Sequence, residues 1–207
     1  MRKSKLSGPA LFMYSSIVFT LLLSCVMFTL YYGGFAKNSV VLWTGIVSFM
    51  ILYHFGARIL MGEISKLWGI TYKHPWFSPR RFEKKLYKFL RVRQWRDRVL
   101  TFNPDEFLME KRTLTQIANT MAKAEVDHWI NEGISVTAVF FALLWGMLPV
   151  FLITSIAAML FDAQFIVLQR FQRPKIVRLI EAEKRKTQKQ DNGKEPICQL
   201  SSPKGIQ

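Results

Sequence analysis

The chain has 207 residues and a formal net charge of +15, and half of its residues are hydrophobic. This length is enough for one domain and excludes a separate soluble catalytic domain of ordinary size beside a membrane part. Because the apolar and the basic residues are separated into blocks, the sequence favours an integral membrane protein over a soluble one. Cys25 and Cys198 show neither the spacing of metal ligands nor that of a disulfide framework.

Two apolar runs near the N-terminus predict a transmembrane hairpin. Residues 10–32 carry no charge, and residues 39–60 carry only Arg58, with His54 one turn before it. Each run is long enough for a bilayer core that takes about 20 helical residues. The first run could also be a secretory signal peptide, but the hydrophobic region of such a peptide is usually about 7–15 residues long, which favours a retained helix.

Residues 63–124 form a basic segment with many interleaved aromatic side chains. Rings at the interface and cations toward the headgroups are typical of a segment that lies on an anionic membrane. Apolar residues at roughly helical spacing predict an amphipathic helix within residues 81–100. Nucleic-acid binding also uses basic and aromatic residues, but the flanking apolar runs argue against it.

The second half of the chain predicts two more spans. Residues 110–132 form a helix with a stripe that begins apolar and ends in ionisable groups. Residues 133–168 are almost purely apolar and too many for one ordinary span, so we expect two helices that meet near residues 145–149. The last helix is expected to end at Gln169 and Arg170, and residues 190–207 are expected to be disordered.

The predicted fold class is therefore an all-α integral membrane protein with about four transmembrane helices and a basic amphipathic cytoplasmic segment between helices 2 and 3. The positive-inside rule places this segment and both termini in the cytoplasm. The expected units are an N-terminal transmembrane hairpin (1–62), the basic cytoplasmic or interfacial segment (63–124), a C-terminal transmembrane hairpin (125–170) and a basic, partly disordered cytoplasmic tail (171–207).

One group of ionisable residues could carry catalysis. Glu125 and His128 are three residues apart and share a helix face, and Glu132 lies one turn further on. A carboxylate beside an imidazole can fix its tautomer and prepare it to act as a general base. Two further interpretations stay open, namely a polar helix end at headgroup level and half of a di-metal carboxylate site, for which a second Glu-x-x-His is missing.

Basic residues in two places could bind an anionic substrate. Gln169, Arg170 and Arg173 at the end of the last span could clamp a phosphate of a headgroup or of coenzyme A, or simply anchor the helix. Arg93 and Trp95 could offer a cationic, aromatic surface to an acyl donor, or belong to the interfacial helix. Phosphate-loop, nucleophile-elbow and zinc-protease motifs are missing, so no metal or cofactor is predicted.

Four stretches of the chain resemble, in order and spacing, the glycosyl-4,4'-diaponeurosporenoate acyltransferase family, which completes staphyloxanthin-type carotenoids. The resemblance covers about residues 70–179. The stretches are residues 82–84 with Tyr87, residues 92–98, residues 124–129 and residues 167–174. The positions that match the family pattern are Glu83, Arg93, Trp95, Glu125, His128, Trp129, Gln169, Arg170, Arg173 and Pro174.

The resemblance implies a multi-pass enzyme of the cell membrane that moves a fatty acyl group to a sugar hydroxyl of a glycosylated carotenoid or related glycolipid. In this hypothesis His128, oriented by Glu125, is the general base. Arg93, Trp95, Trp129, Gln169, Arg170 and Arg173 bind the substrates. The donor would be acyl-CoA or an acyl carrier protein, and no nucleic acid takes part.

Two alternatives stay open on the residues alone. A non-enzymatic transporter subunit or assembly factor would use Glu125 and His128 structurally or as a proton relay. A glycosyltransferase would need a nucleotide-sugar site, and the sequence contains no Asp-x-Asp pattern.

Overall fold

The structure is a computed structural model that describes residues 8–99 and 107–192, and every regular element in these two ranges is a helix. The predicted disordered tail lies almost entirely outside the described residues. In chain order the α-helices are α1 (Gly8–Tyr32), α2 (Ser39–Ile64), α3 (Glu83–Phe89), α4 (Val92–Trp95), α5 (Leu114–Ala138), α6 (Ala142–Trp145) and α7 (Leu148–Asn192).

Three of the described helices are long and apolar enough to cross a membrane, namely Gly8–Tyr32, Ser39–Leu67 and Leu148–Gln190. The all-α membrane fold class is thus confirmed. The fourth predicted span, formed by the second half of α5 and the residues up to Trp145, is not among the three, so the count of four remains a prediction.

The long helices pack in sequence order. α1 lies against α2, α2 against α5, and α5 against α7. At one end, Trp145 Nε1 donates a hydrogen bond of 3.1 Å to Tyr32 Oη, so the turn after α1 and the turn before α7 lie close together. Ile46, Met50, Ala138 and Phe151 form a buried apolar cluster near this end.

The break before α7 lies where the sequence predicted it. α6 ends at Trp145, Gly146 has φ +72°, and α7 begins at Leu148. A left-handed residue at this point suits glycine, because a Cβ atom makes that conformation costly.

Two sequence predictions about helix length were wrong. The last helix does not end at Gln169 and Arg170 but continues through Pro174 to Asn192. Ile180, beyond the proline, is buried, so packing continues past the point where the charges predicted an end. The helix expected within residues 81–100 is split into α3 and α4, because Arg91 adopts a left-handed conformation with φ 49°.

α5 begins with a complete capping box. The Thr113 hydroxyl accepts from the backbone N–H of Gln116, and the Gln116 side chain accepts from the backbone N–H of Thr113. These two bonds satisfy free N–H groups of the first turn. They define where the helix starts.

Candidate active site

Asp162, on α7, is the centre of a buried polar cluster between three helices. Its side chain is 2% exposed. Oδ2 accepts a hydrogen bond of 2.5 Å from the Arg58 guanidinium of α2. Oδ1 accepts from Asn131 Nδ2 at 3.1 Å and faces His128 Nδ1 at 2.8 Å, both on α5. Arg58 also donates to Ser135 Oγ at 3.3 Å.

His128 is held in one orientation by this cluster. An ionised Asp162 needs a donor at Nδ1, so the proton of the neutral imidazole lies on Nδ1 and the lone pair on Nε2. The imidazole also stacks on Phe165, with 4.6 Å between ring centroids and 4° between planes. Its side chain is 21% exposed. In this tautomer, Nε2 is the ring nitrogen that could accept a proton as a general base.

Glu125 lies one turn before His128, at the centre of a second buried cluster. Oε1 accepts from Arg170 Nε and Oε2 from Arg173 Nη1, each at 2.6 Å. The Glu125 side chain is fully buried and that of Arg173 is 2% exposed. Both arginines belong to α7, so this second cluster joins α5 to α7 one helical turn of α5 before the His128–Asp162 pair.

The second cluster also holds the basic segment between α2 and α5 against α7. Arg170 Nη1 donates to Glu83 of α3 at 2.6 Å, and Tyr87 Oη donates to the same carboxylate at 2.9 Å. Burial and this hydrogen bond to Glu83 raise the pKa of the Tyr87 phenol above its usual range, so the phenol remains a donor. The remaining Nη2 atoms of Arg170 and Arg173 donate to the backbone carbonyls of Trp76 and Phe77.

An open apolar groove of about 510 Å³ lies beside this second cluster. One wall is the chain between α2 and α3, including Trp76 and Phe77, and the other is formed by Val126, Trp129 and Ile130 of α5. The Trp76 and Trp129 rings meet edge to face, with centroids 6.5 Å apart.

The remaining residues predicted to bind substrate do not form one site. Trp129 lines the groove, and Gln169 is buried on α7. Arg93 is exposed on α4, whereas Trp95 Nε1 donates to the Leu90 carbonyl at 2.9 Å and so stabilises the local chain. Arg170 and Arg173 lie together with Glu125, not with Arg93.

The prediction that Glu125 orients His128 was wrong, because Glu125 is bonded to two arginines and His128 to Asp162. Both residues do lie on one face of α5, as their spacing indicated. The sequence did contain the signal for the true partner. Asp162 and Arg58 are single opposite charges in separate apolar runs, and charges inside spans usually pair with each other.

Within the described residues, no group of three or more His, Cys, Asp or Glu side chains is arranged to hold a metal ion. His54, one turn before Arg58 on α2, has both ring nitrogens buried without a hydrogen-bond partner in the part of the chain that the structure describes. His128, with Nδ1 2.8 Å from Asp162 Oδ1, is the candidate residue for proton transfer in this region.

The helices and the histidine–aspartate pair between them together define a helical membrane protein with a candidate acid–base site. Residues 73–182, 110 of the 207, match the glycosyl-4,4'-diaponeurosporenoate acyltransferase family. The chain belongs to this family, which makes it an acyltransferase of carotenoid biosynthesis. No curated protein and no solved structure matches the chain.

Proposed function

We propose that the protein is a multi-pass membrane O-acyltransferase that transfers a fatty acyl group to a sugar hydroxyl of a glycosylated carotenoid, with His128 as general base. The observation that carries the proposal is the 2.8 Å contact between His128 Nδ1 and Asp162 Oδ1. Family membership supports the reaction class, and this contact supports the role of His128.

The reaction would run in two steps at His128 Nε2. Nε2 takes the proton of the sugar hydroxyl as its oxygen attacks the carbonyl carbon of an acyl thioester. The tetrahedral intermediate then collapses, the carbon–sulfur bond breaks, and the thiolate leaves with the proton from Nε2. Asp162 stabilises the imidazolium between these steps, and Arg58 and Asn131 hold Asp162 in place.

The burial of the arginines changes the roles that we assign to them. Arg173 is 2% exposed and fully engaged by Glu125 and the Phe77 carbonyl, so we assign it to positioning and not to donor binding. Arg170 is likewise bonded to two carboxylates. Exposed Arg93 is better placed to meet the phosphates of acyl-CoA or of an acyl carrier protein in the cytoplasm.

Orientation in the membrane follows from charge. The basic segment between α2 and α5 and the exposed second half of α7 lie at the end of the helices that carries the Glu125–Arg170–Arg173 cluster. The turn with Trp145 and Tyr32 lies at the opposite end. The positive-inside rule then places the ion-pair cluster at the cytoplasmic face.

The proposal is tested by replacing His128 in cells that make the glycosylated carotenoid. We expect wild type to add the mass of one fatty acyl chain, and His128→Ala to lower the rate of acyl transfer by about 10²–10⁴-fold. Asp162→Asn should lower kcat strongly with little change in KM, since it disturbs the tautomer and not substrate binding. Lipid extraction and mass spectrometry measure the product.

Val136→Ala, at an exposed position of the same helix, is the matched control and should acylate at the wild-type rate. Each variant is first shown to insert in the membrane at wild-type level. Near-normal acylation by inserted His128→Ala would remove His128 from the mechanism. Unchanged lipids with and without the wild-type protein would instead favour a non-enzymatic transporter subunit or assembly factor.

A further inference from the structure

The apolar groove beside the ion-pair cluster is not part of the proposed acyl-transfer site. Val126 and Ile130 each lie two residues from His128, which places them roughly 160° around the α5 axis from it, at about 100° per residue. The wall of the groove at Val126 and Ile130 therefore faces away from His128.

We expect the groove to lie at the level of the lipid headgroups. A bilayer core takes about 20 helical residues, so for a helix that starts at Leu148 the boundary falls near Leu168. Arg170 is two residues further on, and its guanidinium lies 5.7 Å from the centre of the Trp76 ring, which forms part of the groove. Two half-exposed tryptophans at this level are typical of a membrane interface.

Two exposed cations, Lys73 and Arg80, lie at the rim of the groove. The Arg80 guanidinium also lies over the Trp76 ring, 5.4 Å from its centroid. Lys73 precedes His74, a groove residue, and both cations are exposed. Neither Lys73 nor Arg80 has an acidic partner in residues 8–99 and 107–192.

His74 adds a fixed donor to this apolar wall. Its Nδ1 accepts the backbone N–H of Trp76 at 3.2 Å, which places the proton of the neutral ring on Nε2. The groove thus combines an apolar floor for a hydrocarbon chain, a donor suited to an ester carbonyl, and two cations suited to a phosphate.

We infer that the groove binds one anionic phospholipid of the cytoplasmic leaflet, with a chain against Val126 and Ile130 and its phosphate at Lys73 and Arg80. The volume of about 510 Å³ is within the range of about 300–1,000 Å³ typical of small-molecule sites. Because the Trp76 and Phe77 carbonyls accept from Arg170 and Arg173, the lipid would also hold the wall that completes the ion-pair cluster.

The test uses the purified full-length protein in mild detergent, titrated with phosphatidylglycerol or phosphatidylcholine while thermal unfolding is followed. A ligand that binds only the folded state raises Tm as its concentration rises. We expect phosphatidylglycerol to raise Tm and phosphatidylcholine to do so much less. Lys73→Gln with Arg80→Gln should weaken the phosphatidylglycerol effect by about tenfold or more in lipid concentration.

The matched control is Lys184→Gln with Lys186→Gln, which removes the same charge from exposed positions near the end of α7 and should respond as wild type. Ile130→Trp fills the groove and should abolish the response, whereas Val136→Trp on the same helix should retain it.

An equal response to both lipids, or an undiminished response of the Lys73/Arg80 variant, would overturn the inference. So would a change in the acyl-chain length of the product on filling the groove, which would make it the donor site. The Tm measurement does not depend on acyl transfer. A missing lipid effect would therefore count against lipid binding in the groove and not against the proposed acyltransferase function.

Discussion

Glu125 shows at residue scale how a buried charge can be structural even where its position beside a histidine suggests catalysis. It is fully buried, and each of its two carboxylate oxygens accepts a hydrogen bond from an arginine of α7, whereas His128 contacts Asp162. A buried ion pair contributes little net stability compared with apolar packing, but removal of one partner leaves a bare charge in a poorly solvated place. The cluster therefore makes the assembly of α3, α5 and α7 conditional on all its members.

We expect Glu125→Gln to lower the free energy of unfolding by about 3–5 kcal/mol, since Arg170 and Arg173 would lose their shared counter-charge. Thermal or denaturant unfolding in mild detergent measures the loss. Glu63→Gln breaks the exposed Glu63–Lys66 pair and should cost only about 0–1 kcal/mol. A Glu125→Gln protein as stable as the Glu63→Gln protein would show that the buried cluster does not hold the helices together.

The spacing of residues along α5 predicted its faces but not its partners. Glu125 and His128 were correctly placed on one face, because helical periodicity depends on α5 alone. Which carboxylate meets His128 depends on how far α7 slides along α5, and nothing local in either helix determines that register. Asp162 was visible as a lone acid in an apolar run, yet its distance to His128 required the packed helices.

At the scale of elements, α3 has three distinct faces. Glu83 and Tyr87 pack toward α7, lysines occupy a second face, and exposed apolar residues of α3 and its flanks a third. The apolar residues are Phe82, Leu86, Phe89 and Leu90. The Tyr87 ring lies 5.3 Å from that of Phe171, which is three residues past the membrane boundary expected near Leu168. We therefore expect α3 to lie at the level of the lipid headgroups, where amphipathic helices bind.

We expect Phe89, which is 82% exposed in the structure, to lie in the membrane interface. An environment-sensitive dye on Phe89→Cys, in a Cys25→Ser and Cys198→Ser background, should show blue-shifted emission in phosphatidylglycerol vesicles. The same dye on neighbouring Lys88→Cys should report water, because that position belongs to the lysine face. Equal emission from the two positions would place α3 away from the bilayer.

Element ends were harder to predict than element positions. Three of the four predicted spans coincide with long apolar helices, because an uninterrupted apolar run of about 20 residues is typical of a transmembrane helix. The split between α3 and α4 was missed because a left-handed arginine leaves no sequence signal of the kind that glycine gives at Gly146. The length of α7 was missed because proline and clustered charge usually end a helix, while here continued packing carries it past Pro174.

At the scale of the whole molecule, the distribution of basic residues predicts the topology. We expect a cysteine at Asn38, in the turn after α1, to react with a membrane-impermeant maleimide in intact cells. A cysteine at Lys189, near the end of α7, should react only after permeabilisation, because the basic regions are expected in the cytoplasm. The cysteine-free background is the control, and the opposite pattern of labelling would invert the proposed orientation.

The Arg58–Asp162 pair also has a consequence for how the protein is made. Each residue alone would cost about 2.5–3.5 kcal/mol at the centre of an inserted helix on the scale of translocon insertion. Arg58 is synthesised 104 residues before Asp162. We therefore expect Arg58 to stay at the insertion machinery or at the lipid headgroups until α7 has been synthesised. We therefore expect insertion of the two halves to be coupled, and expression of residues 1–62 alone should yield a hairpin that is inserted poorly or degraded early.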